Sequence, residues 1–128
     1  MGRVIGRAVV SLVLERDHHE CQLRLSRGCT GVATVADHRA NRGTGGSKVL
    51  NCPCCLVSAC GICNGVKEDA EGDARERLIV DGLRVLKAAT NAETHRRCQL
   101  TPTRLADGIS YWLTCDGRRV RSDMATPF

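Results

Sequence analysis

Nine of the 128 residues are cysteine, and two of these, Cys60 and Cys63, form a Cys-x-x-Cys pair. An odd number of thiols cannot all be paired in disulfides. Thiolate is a soft donor that zinc holds strongly, so reduced cysteines at short spacing read as metal ligands that draw distant segments together. A disulfide-stapled secreted protein is the competing reading, and it needs an export signal. The opening MGRVIGR followed by AVVSLVL has the outline of one, but Glu15, Arg16, Asp17, His18 and His19 stand where a small-residue cleavage site belongs. Val4, Ile5, Val9, Leu12 and Val13 recur at helical spacing, which predicts a helix with one apolar face on a core. The apolar stretch from Ala8 to Leu14 is far shorter than the ~20 residues a bilayer requires. The expectation is a cytoplasmic chain with reduced thiols and no membrane partner.

The length suits one compact unit. A formal net charge of +5 favours a polyanionic partner. With Tyr111, Trp112 and Phe128 as the only aromatic residues, a base-stacking platform for single strands is not expected, and contacts should go to phosphates.

Along the chain, a polar turn at Asp17 to Glu20 leads to Cys21 and Cys29, which bracket a knuckle containing Ser26, Arg27 and Gly28. Thr30 to Asp37 is rich in β-branched residues and predicts a strand ending at Asp37 and His38. The loop that follows carries Gly43, Gly45 and Gly46, with Arg39, Arg42 and Lys48 placed to meet phosphate. Cys60 and Cys63 open a helix running past Lys67, and Gly72 marks its end or a break. A second helix from Ala74 reaches Gly82 as the residue after its C-cap. Leu83 to Lys87 alternates like a strand, and the Asp-Gly pairs 107/108 and 116/117 separate further alternating segments into a small antiparallel meander.

Taken together, Cys21, Cys29, Asp37-His38, Gly45-Gly46, Cys60-x-x-Cys63, Asn64 and Lys67 resemble the zinc-containing HNH endonucleases, particularly phage-encoded ones, over about residues 15 to 70. The resemblance implies an α+β fold: a zinc-stapled ββα-metal, treble-clef-like core in residues 1–70, then a C-terminal helix and β-meander in 71–128, packed as one unit. It implies metal-dependent hydrolysis of DNA. His38 is the candidate base, since imidazole titrates near neutral pH and can take a proton from water. Asp37 and Asn64 supply hard oxygen donors that suit Mg²⁺ or Mn²⁺. Asparagine in the last motif position is also similar to the endonuclease VII class of phage junction resolvases. Family members usually carry, five residues before the first cysteine of the pair, an asparagine that orients the base; Cys55 stands there. Either Asn51 does this from a shifted loop, or the task is relaxed.

For structural Zn²⁺ the expected set is Cys21, Cys29, Cys60 and Cys63, with Cys52, Cys54 and Cys55 near enough in sequence to compete for the place of Cys29. Cys98 and Cys115 read as small buried apolar residues, and His18, His19 and His95 as ordinary surface or core histidines. Lys67, one turn beyond Asn64, either touches the nucleic-acid backbone or is solvated. Arg118, Arg119 and Arg121 read as charges guarding an edge strand. The resemblance further implies a monomer or homodimer in a host cytoplasm, acting with phage packaging or recombination proteins. The reading from another class is a zinc-stabilised, non-catalytic DNA-binding module.

Overall fold

The computed structural model describes residues 5–41 and 48–127. Val4, the glycines of the 43–46 loop, Arg42 and Phe128 lie outside the described residues. Among the described residues the architecture is α+β: four helices and two small antiparallel sheets. Helix α1 (Arg7–Arg16) carries the apolar face read from the sequence, with Val13 fully buried. Its last residue is an arginine turned inward. The Arg16 guanidinium donates to both Asp17 carboxylate oxygens and to the carbonyls of Pro53 and Leu56. Asp17 in turn accepts from the Ser58 N–H at 3.0 Å. A buried ion pair is tolerated only when its remaining hydrogen-bond positions are filled, and here backbone fills them. The polar turn after α1 places His18 and His19 at φ 57, and leads the chain to the knuckle at Cys21.

Strand β1 (Val35–His38) is shorter than the predicted strand: ahead of it Val32 forms an isolated bridge with Glu20, and the Ala33 N–H bonds to the His19 carbonyl rather than to β2. It pairs antiparallel with β2 (Leu56–Ala59), Asp37 opposite Val57 and His38 opposite Leu56. All four β2 residues are buried. Two 3₁₀ turns, Lys48–Asn51 and Pro53–Cys55, lead into β2. Helix α2 (Gly61–Asp69) starts directly after β2 with Cys60 as N-cap, and buries Cys63 and Lys67 one turn apart.

Helix α3 (Gly72–Val80) ends at the C-cap Asp81, followed by Gly82 at φ 71. The predicted strand over 83–87 is irregular instead. Its alternation is used differently: Leu83 and Val85 are buried in two separate apolar clusters, and the Val85 N–H bonds to the Arg39 carbonyl at 2.8 Å. Helix α4 (Asn91–Leu100) was not anticipated, although its start carries a Thr-x-x-Glu capping signal. The Thr90 hydroxyl accepts from the Glu93 N–H at 3.1 Å. The expected meander is present as β3 (Thr103–Arg104), β4 (Ser110–Leu113) and β5 (Arg119–Arg121), in that order.

Both halves share one core, in which Cys21, Leu23, Val57 and Ala59 pack with Leu78, Leu83, Leu105, Tyr111 and Leu113. A second cluster joins Ala40, Leu50, Cys54 and Cys55 to Val85 and Cys98. No described helix is long and apolar enough to cross a membrane.

Among the described glycines, Gly82 leaves the least room for a side chain. A Cβ there would stand 2.1 Å from the Pro102 carbonyl oxygen, at a left-handed φ that L side chains resist. Gly82→Ala should therefore destabilise the fold by about 2 kcal/mol or more. Gly65→Ala, in open space inside α2, should instead be neutral or stabilise by up to about 1 kcal/mol. Urea unfolding of the two variants checks the contrast.

Candidate functional site

A cleft of about 250 Å³ opens where β1 ends and α2 begins, lined by Ala36, Asp37, His38, Arg39, Asn41, Asn64, Lys67, Glu68 and Arg84. Three residues singled out from the sequence, Asp37, His38 and Asn64, meet here because hairpin register and helix start fix them together. Asp37 points inward in β1 and is 5 % exposed. Asn64 sits in the first turn of α2, its N–H bonded to the Cys60 carbonyl.

The fourth residue, Asn51, lies on the first 3₁₀ turn and reaches His38: its Oδ1 is 2.8 Å from His38 Nε2. An amide oxygen only accepts, so in this contact His38 Nε2 is the donor. Of the two sequence alternatives, the contact from Asn51 is the one found. Cys55 is elsewhere, buried in the second apolar cluster.

Lys67 is neither solvated nor a surface cation. It is 2 % exposed, and its ammonium donates to Asp37 Oδ2 at 2.5 Å and to the His38 carbonyl at 2.7 Å. It thus ties the two adjacent residues of the Asp-His pair to α2. Burial pushes the Asp37 carboxyl up from its ordinary value while Lys67 pulls it down, and burial likewise lowers the Lys67 ammonium against the opposing pull of Asp37.

Arg39 corrects the expectation of a phosphate contact. It is 1 % exposed, and its guanidinium donates to four backbone carbonyls: Gly82, Cys54, Cys98 and Thr101. With the side chain spent on the joint between the halves, only Lys48 of the described loop cations is exposed. Sequence reasoning missed two other charged groups in the cleft, Glu68 and Arg84. Arg84 donates to the Lys67 carbonyl at 3.3 Å, and its buried Nε has no hydrogen-bond partner among the described residues. Arg118 and Arg121 pair locally with Asp116 and Asp123, and Arg119 lies over the Tyr111 ring.

At the start of α2, the Sγ atoms of Cys21, Cys29, Cys60 and Cys63 lie within 4.8 Å of one another, a set that could hold a metal ion. The knuckle at Cys21 and Cys29 is thereby brought to the start of α2. The backbone N–H of Cys63, then that of Thr30, holds the Cys60 thiol down at about 6, whereas burial pushes Cys63 up to about 12. Cys52, Cys54 and Cys55, sequence competitors for the place of Cys29, are not in this set. Cys52 and Cys54 instead converge with His95 and Cys115. The set gives His95 company that its reading as an ordinary histidine did not foresee, and the reading of Cys115 as buried is corrected, since Cys115 is exposed. Cys98 is buried as expected. No family model, curated protein or solved structure matches the chain.

Two stability measurements follow from these contacts. Arg39→Met should cost about 3–5 kcal/mol, because four carbonyls lose their donor, and Arg39→Lys should recover little, because an ammonium lacks the fork that spans them. Lys67→Met should cost a similar amount at neutral pH by leaving Asp37 buried and unpaired. Without Lys67 the folded-state pKa of Asp37 stands above its unfolded value, so the folded state takes up the proton first. The deficit should be full above that raised pKa and shrink as pH falls through it, which denaturant unfolding between neutral and acid pH reads directly.

Proposed function

We propose that the chain is a divalent-metal-dependent endonuclease of the HNH type that hydrolyses DNA phosphodiester bonds. One observation carries the reading: a polar cleft in which Asp37, Asn64 and an Asn51-oriented His38 converge beside a four-thiol cluster. Zinc is the ion proposed for the thiols, since four soft donors without an open position make a structural site. This core would be the ββα-metal unit, with β1, β2 and α2 as its three elements.

His38 would act as general base, Nδ1 accepting a proton from the water that attacks phosphorus while the bond to the leaving oxygen breaks. Asn51, accepting from Nε2, would favour the tautomer in which Nδ1 is the basic nitrogen. The Asp37 carboxylate and the Asn64 amide are hard oxygen donors suited to Mg²⁺ or Mn²⁺. When bound, such an ion would neutralise charge on the phosphate and the leaving oxygen. Lys67 orients Asp37 by holding Oδ2. Arg84, cationic, in the cleft and with Nε unsatisfied, is placed to meet a phosphate oxygen.

A second reading, a DNA-binding module without catalysis, draws on the Lys67 ion pair, since an ammonium bonded to the carboxylate opposes a nearby divalent cation. The two part on one assay. Purified protein should nick or cut plasmid with Mg²⁺ or Mn²⁺ and stop when the ion is chelated, whereas a binding module shifts DNA without cutting it.

His38→Ala should lower the cleavage rate by about 10²- to 10⁴-fold with bound zinc and circular dichroism unchanged. Asn51→Ala should cost about 10- to 100-fold through misorientation of the base. Cleavage by His38→Ala at the parental rate would show that the base is another group. Cys63→Ser should lose one equivalent of zinc and unfold at much lower urea concentration than the parent.

A further inference from the structure

We infer that Cys52, Cys54, His95 and Cys115 form a second zinc site, of Cys₃His type, separate from the four-thiol cluster. Their ligand atoms lie within 4.8 Å of one another. The spacings are those a tetrahedral ion demands. With Zn–S near 2.3 Å and Zn–N near 2.0–2.1 Å, tetrahedral edges come to about 3.8 Å between sulfurs and about 3.6 Å between sulfur and nitrogen. The chain has Cys54 Sγ 3.5 Å from Cys52 Sγ and 3.8 Å from Cys115 Sγ. His95 Nε2 stands 3.4 Å from Cys54 Sγ and 3.8 Å from Cys115 Sγ. Such distances are too long for a disulfide, whose sulfurs lie about 2.05 Å apart, and all four residues are within reach of one shared centre.

The donor set argues for zinc over a hard ion, because three thiols and an imidazole are soft to borderline ligands and no carboxylate joins them. Support around the ligands is also present: the Gln99 amide donates to Cys115 Sγ at 3.2 Å, a bond that steadies a coordinated sulfur. Cys55 Sγ is 3.7 Å from Cys54 Sγ, yet it faces the buried apolar cluster and stands outside the convergent set.

The ion would join three segments that sequence spacing does not connect: the Pro53–Cys55 turn and its N-cap, the middle of α4, and the β4–β5 turn. Cys52 directly follows Asn51, so the same ion anchors the turn whose amide holds His38. The site stands independently of the nuclease reading, because metal content is measured without substrate.

Metal content of protein purified from zinc-supplemented culture and dialysed free of loose ion should be two zinc per chain. His95→Ala and Cys115→Ser should each fall to one, Cys29→Ser should also fall to one, and Cys55→Ala should stay at two. Cys115 is on an exposed turn, so its variant keeps the core intact. In cobalt-substituted protein, Cys115→Ser should remove about three-sevenths of the sulfur-to-cobalt charge-transfer absorbance, the share of three thiolates among seven. One zinc per chain in the parent would overturn the proposal, and so would two zinc retained in both His95→Ala and Cys115→Ser.

Discussion

Three aromatic rings in 128 residues leave this chain short of the bulky apolar volume from which a small core is usually built. Buried polar knots supply the missing cross-links. Arg16 joins α1 to the two chain segments entering β2, Arg39 joins carbonyls from four places, and Lys67 joins α2 to the end of β1. Each knot is buried with its donors engaged, the condition under which a cation can sit inside a protein without unfolding it. The apolar clusters around them are made largely of small residues, cysteine prominent among them.

The knots also decide where the cleft can be. Pairing of β1 with β2 sets Asp37 opposite Val57, and a slip of one residue would turn the carboxylate away from α2. Lys67 then locks Asp37 in place, while Asn51 approaches His38 from the turn on the other side. Arg39, next in sequence, lines the cleft too, but its guanidinium is consumed by the joint to the C-terminal half. The cleft therefore depends on residues 71–128 even though its own side chains come mostly from the first seventy: Gly82, Cys98 and Thr101 all receive hydrogen bonds from Arg39.

How much of this was legible in the sequence follows from how local each signal is. The Cys60–Cys63 pair, the helix behind it, the Asp37-His38 strand end and the two Asp-Gly turns depend on neighbours within a few residues, and the structure has them all. Helix α4 carried a legible start at Thr90 and Glu93, but it buries only Thr94 and Cys98, too few apolar residues for periodicity to reveal. Leu83 to Lys87 alternates because two buried side chains enter different clusters, a pattern that imitates a strand. The fate of Arg39 and Lys67 was illegible for another reason: a cation in a polar stretch reads as solvated until the carbonyls and carboxylate that capture it are known. Cys115 and Cys54 meet across 61 residues, and no spacing rule reaches that far.

The charges of the cleft bear on how the proposed reaction would be organised. Asp37 and Glu68 bring two negative groups and Arg39, Lys67 and Arg84 three positive ones, the Arg39 guanidinium being turned to backbone carbonyls, so the cleft carries only a small positive excess of its own. A divalent cation entering alone meets the Lys67 ammonium at close range, and a phosphate entering alone meets two carboxylates. Bound together, each screens the repulsion that the other suffers, and in a partly enclosed cleft such screening is stronger than in open water. On the nuclease reading, ion and backbone phosphate would therefore favour each other's binding, and Lys67, which as an ion-pair partner weakens a lone metal site, becomes one of the groups that make the occupied site specific for a metal already accompanied by its substrate.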